Sequence, residues 1–321
     1  MSVIVAARNE EKNLKILIPL IQNQAYENFE IVLALDRTSD SSATYIQNLD
    51  DDKIKVINIK DVKEGWNPKK YALKSAIENA TGEWLIFTDA DCQPSSNTWL
   101  RSITNQISNQ TDIIIGISPY KSYSSLLSKF IQFEAFMTAF TYAGRTLSGK
   151  PYMAVGRNMA IRKSFFIESN GYDDIHSIQG GDDDLFIQKN ASKENTRILL
   201  GAESVVFTEP ERSWKDYWNQ KVRHLSVSSY YKKADQFLLG LNHFSHLIFI
   251  VMLFYCTTHS FFLPMLLFYL FIKLVSYRFA SSKMEININY ILLPLVDIIY
   301  AVSIPVIGLW SKLEKDIKWK N

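Results

Sequence analysis

The sequence has few cysteines and almost no excess of charge of either sign. Its 321 residues include only two cysteines, Cys92 and Cys256, and two thiols cannot build a disulfide-stapled fold. Lys and Arg number 35 against 33 Asp and Glu, which argues against a protein that binds nucleic acid through bulk positive charge. A hydrophobic fraction of 47% with 13% aromatic residues also excludes a disordered chain.

Charged residues are missing altogether from one long stretch. No Asp, Glu, Lys or Arg occurs within residues 236–272, a run of 37 residues. As a single straight helix this run would be about 55 Å long, whereas the hydrocarbon core of a bilayer is about 30 Å thick. Polar residues 257–260 and Pro264 predict a break in the run. We therefore expect two membrane spans, over about 241–258 and 261–280.

A third apolar segment, 290–310, is expected either to span the membrane or to re-enter it, and a basic tail follows at 312–321. A third full span would place that tail outside, against the positive-inside rule, so a re-entrant or hairpin segment is favoured. His243, His246 and His259 are too scattered to predict a metal site and are interpreted as interfacial or packing residues.

The first two thirds of the chain have the composition and periodicity of an α/β domain. Apolar strand patterns alternate with amphipathic helix patterns, which predicts a parallel sheet with helices on both faces. The strand patterns cover 3–7, 30–35, 53–59 and 84–88, and the helix patterns cover 13–22, 39–49 and 69–80. Three of these strands end in polar clusters, at 6–10, at Asp36 and at 89–91. Ligands bind at the carboxyl ends of such strands, and these clusters together favour a nucleotide site.

Two carboxylates, Asp89 and Asp91, leave the fourth predicted strand two residues apart. Both can face one divalent cation if the backbone turns there, because hard cations prefer oxygen ligands. Such an ion, Mg or Mn, would neutralise charge on a departing diphosphate. Cys92 follows directly and is interpreted as a small buried filler.

Several segments resemble family 2 glycosyltransferases, which have the GT-A fold, a Rossmann-like mixed sheet. The resemblance runs over roughly residues 2–225. The segments that carry it are the opening strand and Asn-Glu loop at 2–10, the Asp turn at 31–40, the Lys-x-x-Ala-Leu segment at 69–74, the Thr-Gly-Glu…Asp-Ala-Asp segment at 81–91, a Gly…Ile-Arg strand at 156–162, an acidic segment at 180–185, and Gln-x-x-Arg at 220–223.

The resemblance implies roles for particular residues. Asp36 would accept a hydrogen bond from uracil N3–H, Lys69 would meet the base or the phosphates, and Arg223 would neutralise the leaving diphosphate. The full set implied to bind the nucleotide-sugar is Ala7, Arg8, Glu10, Asp36, Lys69, Asp89, Asp91, Gln220 and Arg223. Leu35, Arg37 and His224 depart from the family pattern, which has Asp, Gly and Trp at these positions.

The resemblance also implies a catalytic base, which would take the proton of the acceptor hydroxyl. Asp182 aligns with it, and its neighbours Asp183 and Asp184 could raise its pKa by like-charge repulsion. Because Gly181 replaces the usual Glu, Asp183 stays open as an alternative. The acids could instead serve only as a helix N-terminus.

The resemblance as a whole implies a membrane-anchored inverting glycosyltransferase, similar to ceramide glucosyltransferases and bacterial lipid or polysaccharide glycosyltransferases. It would use a UDP-sugar and Mg or Mn, and transfer the sugar to a lipid or lipid-linked acceptor. A processive polysaccharide synthase and an inactive scaffold of a polysaccharide-assembly complex are the alternatives. We expect a catalytic domain at 1–212, an interfacial amphipathic region at 213–240 and a membrane region at 241–311. Because the chain opens directly on a strand pattern, the catalytic domain is expected to face the cytosol of a multi-pass cytoplasmic membrane protein.

Overall fold

A computed structural model describes residues 1–314, except for the side chains of residues 257 and 260. The chain forms two units, one built from Met1–Pro119 and Thr141–Glu209 and the other from Tyr120–Phe140 with the chain from Pro210 onward. Most of the predicted basic tail, including Lys315, Lys318 and Lys320, lies outside the described residues.

The regular elements are numbered in chain order. The strands are β1 Ser2–Ala7, β2 Glu30–Asp36, β3 Ile54–Ile59, β4 Trp84–Phe87, β5 Cys92–Pro94, β6 Ile113–Ile115, β7 Met159–Arg162, β8 Thr196–Ile198 and β9 Val206–Thr208. The helices are α1 Glu11–Gln22, α2 Ser42–Gln47, α3 Pro68–Asn79, α4 Trp99–Thr104, α5 Leu126–Leu147, α6 Lys163–Glu168, α7 Asp184–Asn190, α8 Trp214–Val227, α9 Lys233–Thr258, α10 Leu263–Lys283 and α11 Leu293–Leu313.

The first unit contains a seven-stranded mixed sheet in the order β3-β2-β1-β4-β7-β6-β8. The four strands predicted from periodicity form its parallel half. The other half is mixed, because β7 pairs antiparallel with both β4 and β6 while β6 and β8 run parallel. The order reverses next to β1, and in sheets of this kind ligands bind at the carboxyl ends of the strands beside such a switch.

The apolar runs of the sequence become the core of this unit. Strand β1 is buried along almost its whole length, and α1 buries Leu14, Leu17, Ile18 and Ile21 on one face. That spacing of three and four residues is the period of a helix with one apolar side. The sheet is therefore fixed in the core, and the polar residues that follow β1, β2 and β4 are left at its carboxyl edge.

The Thr-Gly-Glu segment has a structural role at the opposite edge of the sheet. The carboxylate of Glu30 accepts hydrogen bonds from Ser2 Oγ at 2.6 Å, from Thr81 N at 2.5 Å and Thr81 Oγ1 at 2.7 Å, and from Gly82 N at 3.2 Å. Burial favours the protonated form of Glu30, but these hydrogen bonds outweigh it and lower the pKa of this carboxyl. Gly82 cannot carry a side chain, because a Cβ there would lie 2.5 Å from the backbone of Met1.

We expect Glu30→Ala to lower the free energy of unfolding by about 2 kcal/mol at neutral pH, because backbone and hydroxyl donors lose a charged acceptor. The pKa of Glu30 is lower in the folded state, so its contribution is present above the unfolded pKa and is lost as the pH falls through the folded one. Thermal unfolding of the full chain in detergent at pH 7 and at acidic pH measures this. Equal losses at both pH values would contradict the assignment, and Glu27→Ala, on an exposed neighbouring side chain, is the control.

The second unit holds α8 to α11 and the first part of α5. Helix α8 buries Tyr217 and Val222, and its Lys221 forms a buried ion pair with Glu134 of α5 at 2.5 Å. Trp218 of α8 also contacts Trp310 of α11 edge to face. Within the region 213–240, which was predicted to be interfacial and amphipathic, α8 is therefore packed on one side within this unit, and α9 begins at Lys233.

Helices α9, α10 and α11 are each long and apolar enough to cross a membrane, by length and composition. The predicted break after the first span lies at residues 259–262, with Pro264 in the first turn of α10. Many large apolar side chains on these helices are exposed, among them Phe237, Phe254, Phe268, Phe271 and Leu309. The third segment is one continuous helix of 21 residues with Pro305 inside it, so a helical hairpin within this segment is excluded.

Each of the three apolar helices contributes one polar residue to a buried cluster, which we call the charge cluster. Asp297 of α11 accepts a hydrogen bond from Lys273 Nζ of α10 at 2.6 Å, and its other oxygen lies 2.7 Å from His246 Nδ1 of α9. All three residues are at most 8% exposed. His246, which was expected to be an interfacial or packing residue, thus contacts Asp297, and Lys273 lies in a buried ion pair with the same carboxylate.

Candidate active site

The Asp-x-Asp pair lies in the turn between β4 and β5. A carboxylate oxygen of Asp89, one of Asp91 and the sulfur of Cys92 all lie within 4.8 Å of one another. Both aspartates are partly exposed while Cys92 is buried. Two half-exposed carboxylates at this spacing fit a hard divalent cation such as Mg or Mn, which takes oxygen ligands.

The thiol of Cys92 is oriented toward this pair but is not suited to the ion. Its sulfur lies 3.7 Å from Asp91 Oδ1, to which it donates. Burial raises the pKa of Cys92 well above its usual range, and the charges of Asp91 and Asp89 add to the effect. A hard divalent cation prefers the carboxylate oxygens to this sulfur, and Cys92 belongs to the apolar core with Ala90 and Leu199.

Lys69 connects the Asp-x-Asp pair to the predicted base. It lies in the first turn of α3, which begins with Pro68 after an N-cap formed by the side chain of Asn67. Its Nζ is 3.1 Å from Asp89 Oδ1 and 3.0 Å from Asp182 Oδ2. Burial opposes the charge on Lys69, but the two carboxylates outweigh burial and raise the pKa of this ammonium. Lys69 thus brings together three of the site residues predicted from the sequence, Lys69, Asp89 and Asp182, although the first and last are 113 positions apart in the chain.

Asp182 and Asp183 lie in different surroundings. Asp183 accepts hydrogen bonds from Gly156 N at 2.6 Å and from Asp184 N at 2.8 Å, so it caps α7. Burial and the charge of Asp182 raise the pKa of Asp183. Burial would also raise that of Asp182, but Lys69 and Lys70 outweigh it, and the pKa of Asp182 is lowered. Asp182 therefore contacts the ammonium of Lys69, whereas Asp183 is held by two backbone amides.

A small cavity adjoins these residues. Its lining comprises Lys69, Leu73, Phe87, Thr88, Asp89, Gly156, Met159, Tyr172 and Asp182. Thr88 Oγ1 is buried there and has no hydrogen-bond partner among residues 1–314. Burial raises the pKa of the Tyr172 phenol well above its usual range. Thr88, Met159 and Tyr172 could not be singled out from the sequence, because each has the character of an ordinary core residue.

The residues predicted to bind the donor follow β1 and β2. Ala7 ends β1, and Arg8 and Glu10 lie in the turn that leads into α1. Asn9, at φ +56°, supports this turn because its Oδ1 accepts hydrogen bonds from the backbone of Ser39 and Asp40. In the part of the chain that the structure covers, Arg8 Nε is buried without a hydrogen-bond partner.

Asp36 does not present an open acceptor in this structure. Its fully buried carboxylate accepts two hydrogen bonds from Arg37, from Nε at 2.8 Å and from an amino nitrogen at 2.9 Å. Arg37, at φ +45°, takes a backbone conformation that glycine adopts more readily. Because this carboxylate is fully buried, a uracil N3–H could reach it only after the side chain of Arg37 has moved.

Gln220 and Arg223 belong to the second unit, on α8. Gln220 donates to Glu211 Oε1 at 3.0 Å, and its own Oε1 accepts from Tyr120 at 3.4 Å. The donor-binding roles implied for these two residues remain predictions.

A family model described as "Glycosyl transferase family 2" matches residues 2–169. Among curated proteins, the chain is 37% identical over 93 residues to a GalNAc(5)-diNAcBac-PP-undecaprenol beta-1,3-glucosyltransferase of Campylobacter jejuni, covering 28% of this chain and 29% of that protein. It is 24% identical over 131 residues to the UDP-Glc:alpha-D-GlcNAc-diphosphoundecaprenol beta-1,3-glucosyltransferase WfgD of Escherichia coli, covering 41% of this chain and 50% of that protein. The matches thus span half or less of these relatives' length.

Among solved structures, the chain resembles the mannosyltransferase PcManGT of Pyrobaculum calidifontis, solved in complex with GDP-Man and Mn2+. The TM-score is 0.61 at 15% identity, over 97% of this chain and 87% of that one. At this identity the likeness concerns the fold. The GT-A fold expected from the sequence, a mixed sheet domain followed by apolar helices, is confirmed.

Proposed function

The chain belongs to glycosyl transferase family 2, and we propose that it transfers a sugar from a UDP-sugar to a hydroxyl group of a lipid or lipid-linked acceptor, with inversion at the anomeric carbon. The observation that carries this proposal is the contact of Lys69 with both Asp89 and Asp182. This contact places the Asp-x-Asp pair, which suits the cation of a diphosphate, beside Asp182. The carboxylate of Asp182 is suited to activating a hydroxyl.

Asp182 is the base in this proposal. It accepts the proton of the acceptor hydroxyl while the hydroxyl oxygen forms a bond to the anomeric carbon and the bond from that carbon to the diphosphate oxygen breaks. Attack occurs on the face opposite the leaving group, so a single displacement inverts the configuration. Asp183 is unsuited to the same task, because two backbone amides already use its oxygens.

The Asp-x-Asp pair is proposed to hold a divalent cation. Asp89 and Asp91 would be its ligands, and a bound Mg or Mn would stabilise the charge on the departing UDP. The structural neighbour from Pyrobaculum was solved with Mn2+, which supports a divalent cation without choosing between Mg and Mn. Lys69 adds a fixed positive charge beside Asp89 and keeps Asp182 ionised.

Ala7, Arg8, Glu10 and Asp36 are proposed to bind the nucleotide at the carboxyl edge of β1 and β2. Arg8 supports this because a buried guanidinium nitrogen without a partner suits an anionic ligand. One curated relative uses UDP-Glc by its name, which supports uridine as the base. Asp36 can accept from that base once Arg37 has moved.

The apolar helices support an acceptor at the membrane. Two curated relatives are named for acceptors linked to undecaprenol through a diphosphate, and three helices of this chain could cross a bilayer. We propose that the catalytic unit faces the cytosol of the cytoplasmic membrane. Arg278 and Lys283, near the end of α10, fit this orientation under the positive-inside rule.

The proposal is tested with the full chain in detergent or vesicles, a panel of UDP-sugars and a membrane lipid extract, with mass spectrometry of the lipid product. One UDP-sugar is expected to give a lipid product whose anomeric configuration is opposite to that of the donor sugar. A donor panel that yields neither product nor released UDP would favour the inactive scaffold, and a polymeric product would favour the synthase.

Removing the cation site is expected to abolish most of this activity. Asp91→Ala should lower turnover by about 100-fold or more, because charge on the departing diphosphate is no longer neutralised. EDTA should have the same effect on the wild type, reversed by Mn or Mg. Asp52→Ala, on an exposed side chain, is the matched control. Full turnover by Asp91→Ala in EDTA would contradict a metal-dependent reaction.

A further inference from the structure

The segment that delivers Asp182 to the site is held by the helix that also supplies Lys69. We call residues 173–182 the base loop. Residues in and just before α3 contact it at several points along its length, namely Trp66, Asn67, Lys70 and Lys74. Asn67 N donates to His176 O at 2.7 Å, and Lys74 Nζ pairs with Asp173 at 2.6 Å. The Trp66 ring lies against His176, with the ring centres 5.2 Å apart.

Lys70 is the buried centre of these contacts. Its Nζ donates to the carbonyl oxygens of Ile178 and Gly180, each at 2.5 Å. The residue is 0% exposed, which is unusual for a lysine unless its charge is satisfied. Burial lowers the pKa of Lys70 to about 8, against the opposing influence of Asp182 and Asp183. A buried ammonium that contacts two backbone carbonyls costs free energy to desolvate, so its presence here calls for a specific role.

The base loop needs such support. Gly180 and Gly181 both have positive φ, at 73° and 72°, and glycines gain the most conformational freedom when a turn loosens. These two residues immediately precede Asp182, so the direction of its carboxylate depends on the turn they form. Lys70 contacts the carbonyl oxygen of the first of them.

Lys69 and Lys70 are adjacent in the first turn of α3 but contact different groups. Successive residues on a helix point about 100° apart, so Lys69 reaches Asp89 and Asp182 while Lys70 reaches the backbone beneath Asp182. We propose that Lys70 is a positioning residue, which fixes the base loop so that the carboxylate of Asp182 is held for the acceptor hydroxyl. The effect on catalysis rests on the proposed function, whereas the contact of Lys70 with the base loop does not depend on it.

Lys70→Met is the test variant, because it keeps the length of the side chain and removes its donors. Lys74→Met is the matched control, one turn further along α3, where the pair with Asp173 is exposed. Hydrogen exchange of the full chain in detergent reports on the loop, and steady-state kinetics report on turnover. For Lys70→Met we expect exchange about tenfold faster or more in peptides covering residues 178–186, with β1 unchanged.

Turnover of Lys70→Met is expected to fall by about 100-fold, because displacing a reacting group by about 1 Å has effects of this size. The KM for the donor should stay within about threefold of wild type, since Lys70 is not among the residues proposed to bind the nucleotide. Lys74→Met removes only a solvent-accessible ion pair at the start of the base loop, so it should change both measurements far less than Lys70→Met. Lys70→Arg, which keeps charge and donors, should recover part of the turnover.

Unchanged exchange in the base loop of Lys70→Met would overturn the proposal, as would a loss of donor binding that matches the loss of turnover. If Lys70→Met also exchanges faster throughout β1, the unit has unfolded, and Lys70→Gln, which keeps one donor, is judged by the same two measurements. If the wild type transfers no sugar from any donor, the proposed function fails, while the exchange comparison still decides whether Lys70 holds the loop.

Discussion

Asp182→Asn is expected to reduce turnover by about 1,000-fold while the donor still binds. General base catalysis contributes factors of about 100 to 10,000, and an amide cannot accept the proton of the acceptor hydroxyl. The substitution keeps the size of the side chain, so the cavity beside Tyr172 and Met159 should be preserved. Single-turnover measurements with saturating donor and acceptor, together with titration of UDP binding, separate the chemical step from binding.

Asp183→Asn is the matched control for this experiment. Its carboxylate accepts from Gly156 N and Asp184 N, and an amide oxygen can keep one of these bonds. We expect a loss of stability of about 1 kcal/mol and a much smaller loss of turnover than for Asp182→Asn. If Asp183→Asn were the more severe variant in the chemical step, the base would be Asp183 and not Asp182.

The pH dependence gives an independent check on the same carboxylate. Lys69 and Lys70 lower the pKa of Asp182 against burial, and a base must be deprotonated to accept a proton. Turnover should therefore hold on the acid side to about pH 5, below which ordinary carboxylates also begin to protonate. Lys69→Met removes the nearer ammonium and should move the acid limb to higher pH. An unmoved acid limb would show that Lys69 does not set the ionisation of Asp182.

The parts of this structure that could be predicted from the sequence are those encoded by local patterns. Four strands of the sheet and the helices between them have apolar periods long enough to recognise, and the Asp-x-Asp pair follows the fourth strand directly. The strands β6 and β8 have three residues each, too few for a period to emerge. Strand β7 could be predicted only from the resemblance, through its Gly…Ile-Arg segment.

Contacts between distant positions could not be predicted in this way. Lys70 lies beside Lys69 and carries the same charge, and only the three-dimensional path of the base loop gives the two lysines different partners. Arg37 was recognised as a departure from the family, but its pairing with Asp36 depends on a backbone at positive φ. In both cases the chemistry of the residue is visible in the sequence, while the partner is decided by the fold.

The charge cluster of α9, α10 and α11 is the clearest example of a contact that the sequence does not predict. Breaking it is expected to have the second large effect, a loss of stability. Asp297→Asn should lower the free energy of unfolding of the second unit by about 3 kcal/mol, because it leaves the buried ammonium of Lys273 without a counter-charge. Breaking one side of a buried ion pair has effects of about 3 to 5 kcal/mol. Denaturation of the full chain in mixed detergent micelles, followed by far-UV circular dichroism, measures the change.

Removing both charges together should be much less harmful than removing either one. Lys273→Met with Asp297→Leu replaces the pair by apolar side chains of similar size, and such replacements are often neutral or stabilising. Lys273 also lies over the rings of Phe249 and Tyr269, which a methionine can contact in its place. Arg278→Met, on an exposed position of α10, controls for the loss of a basic residue from this helix. If the double variant were no more stable than Asp297→Asn alone, the energetic coupling between Lys273 and Asp297 would be absent, and the three helices would be held by their apolar contacts alone.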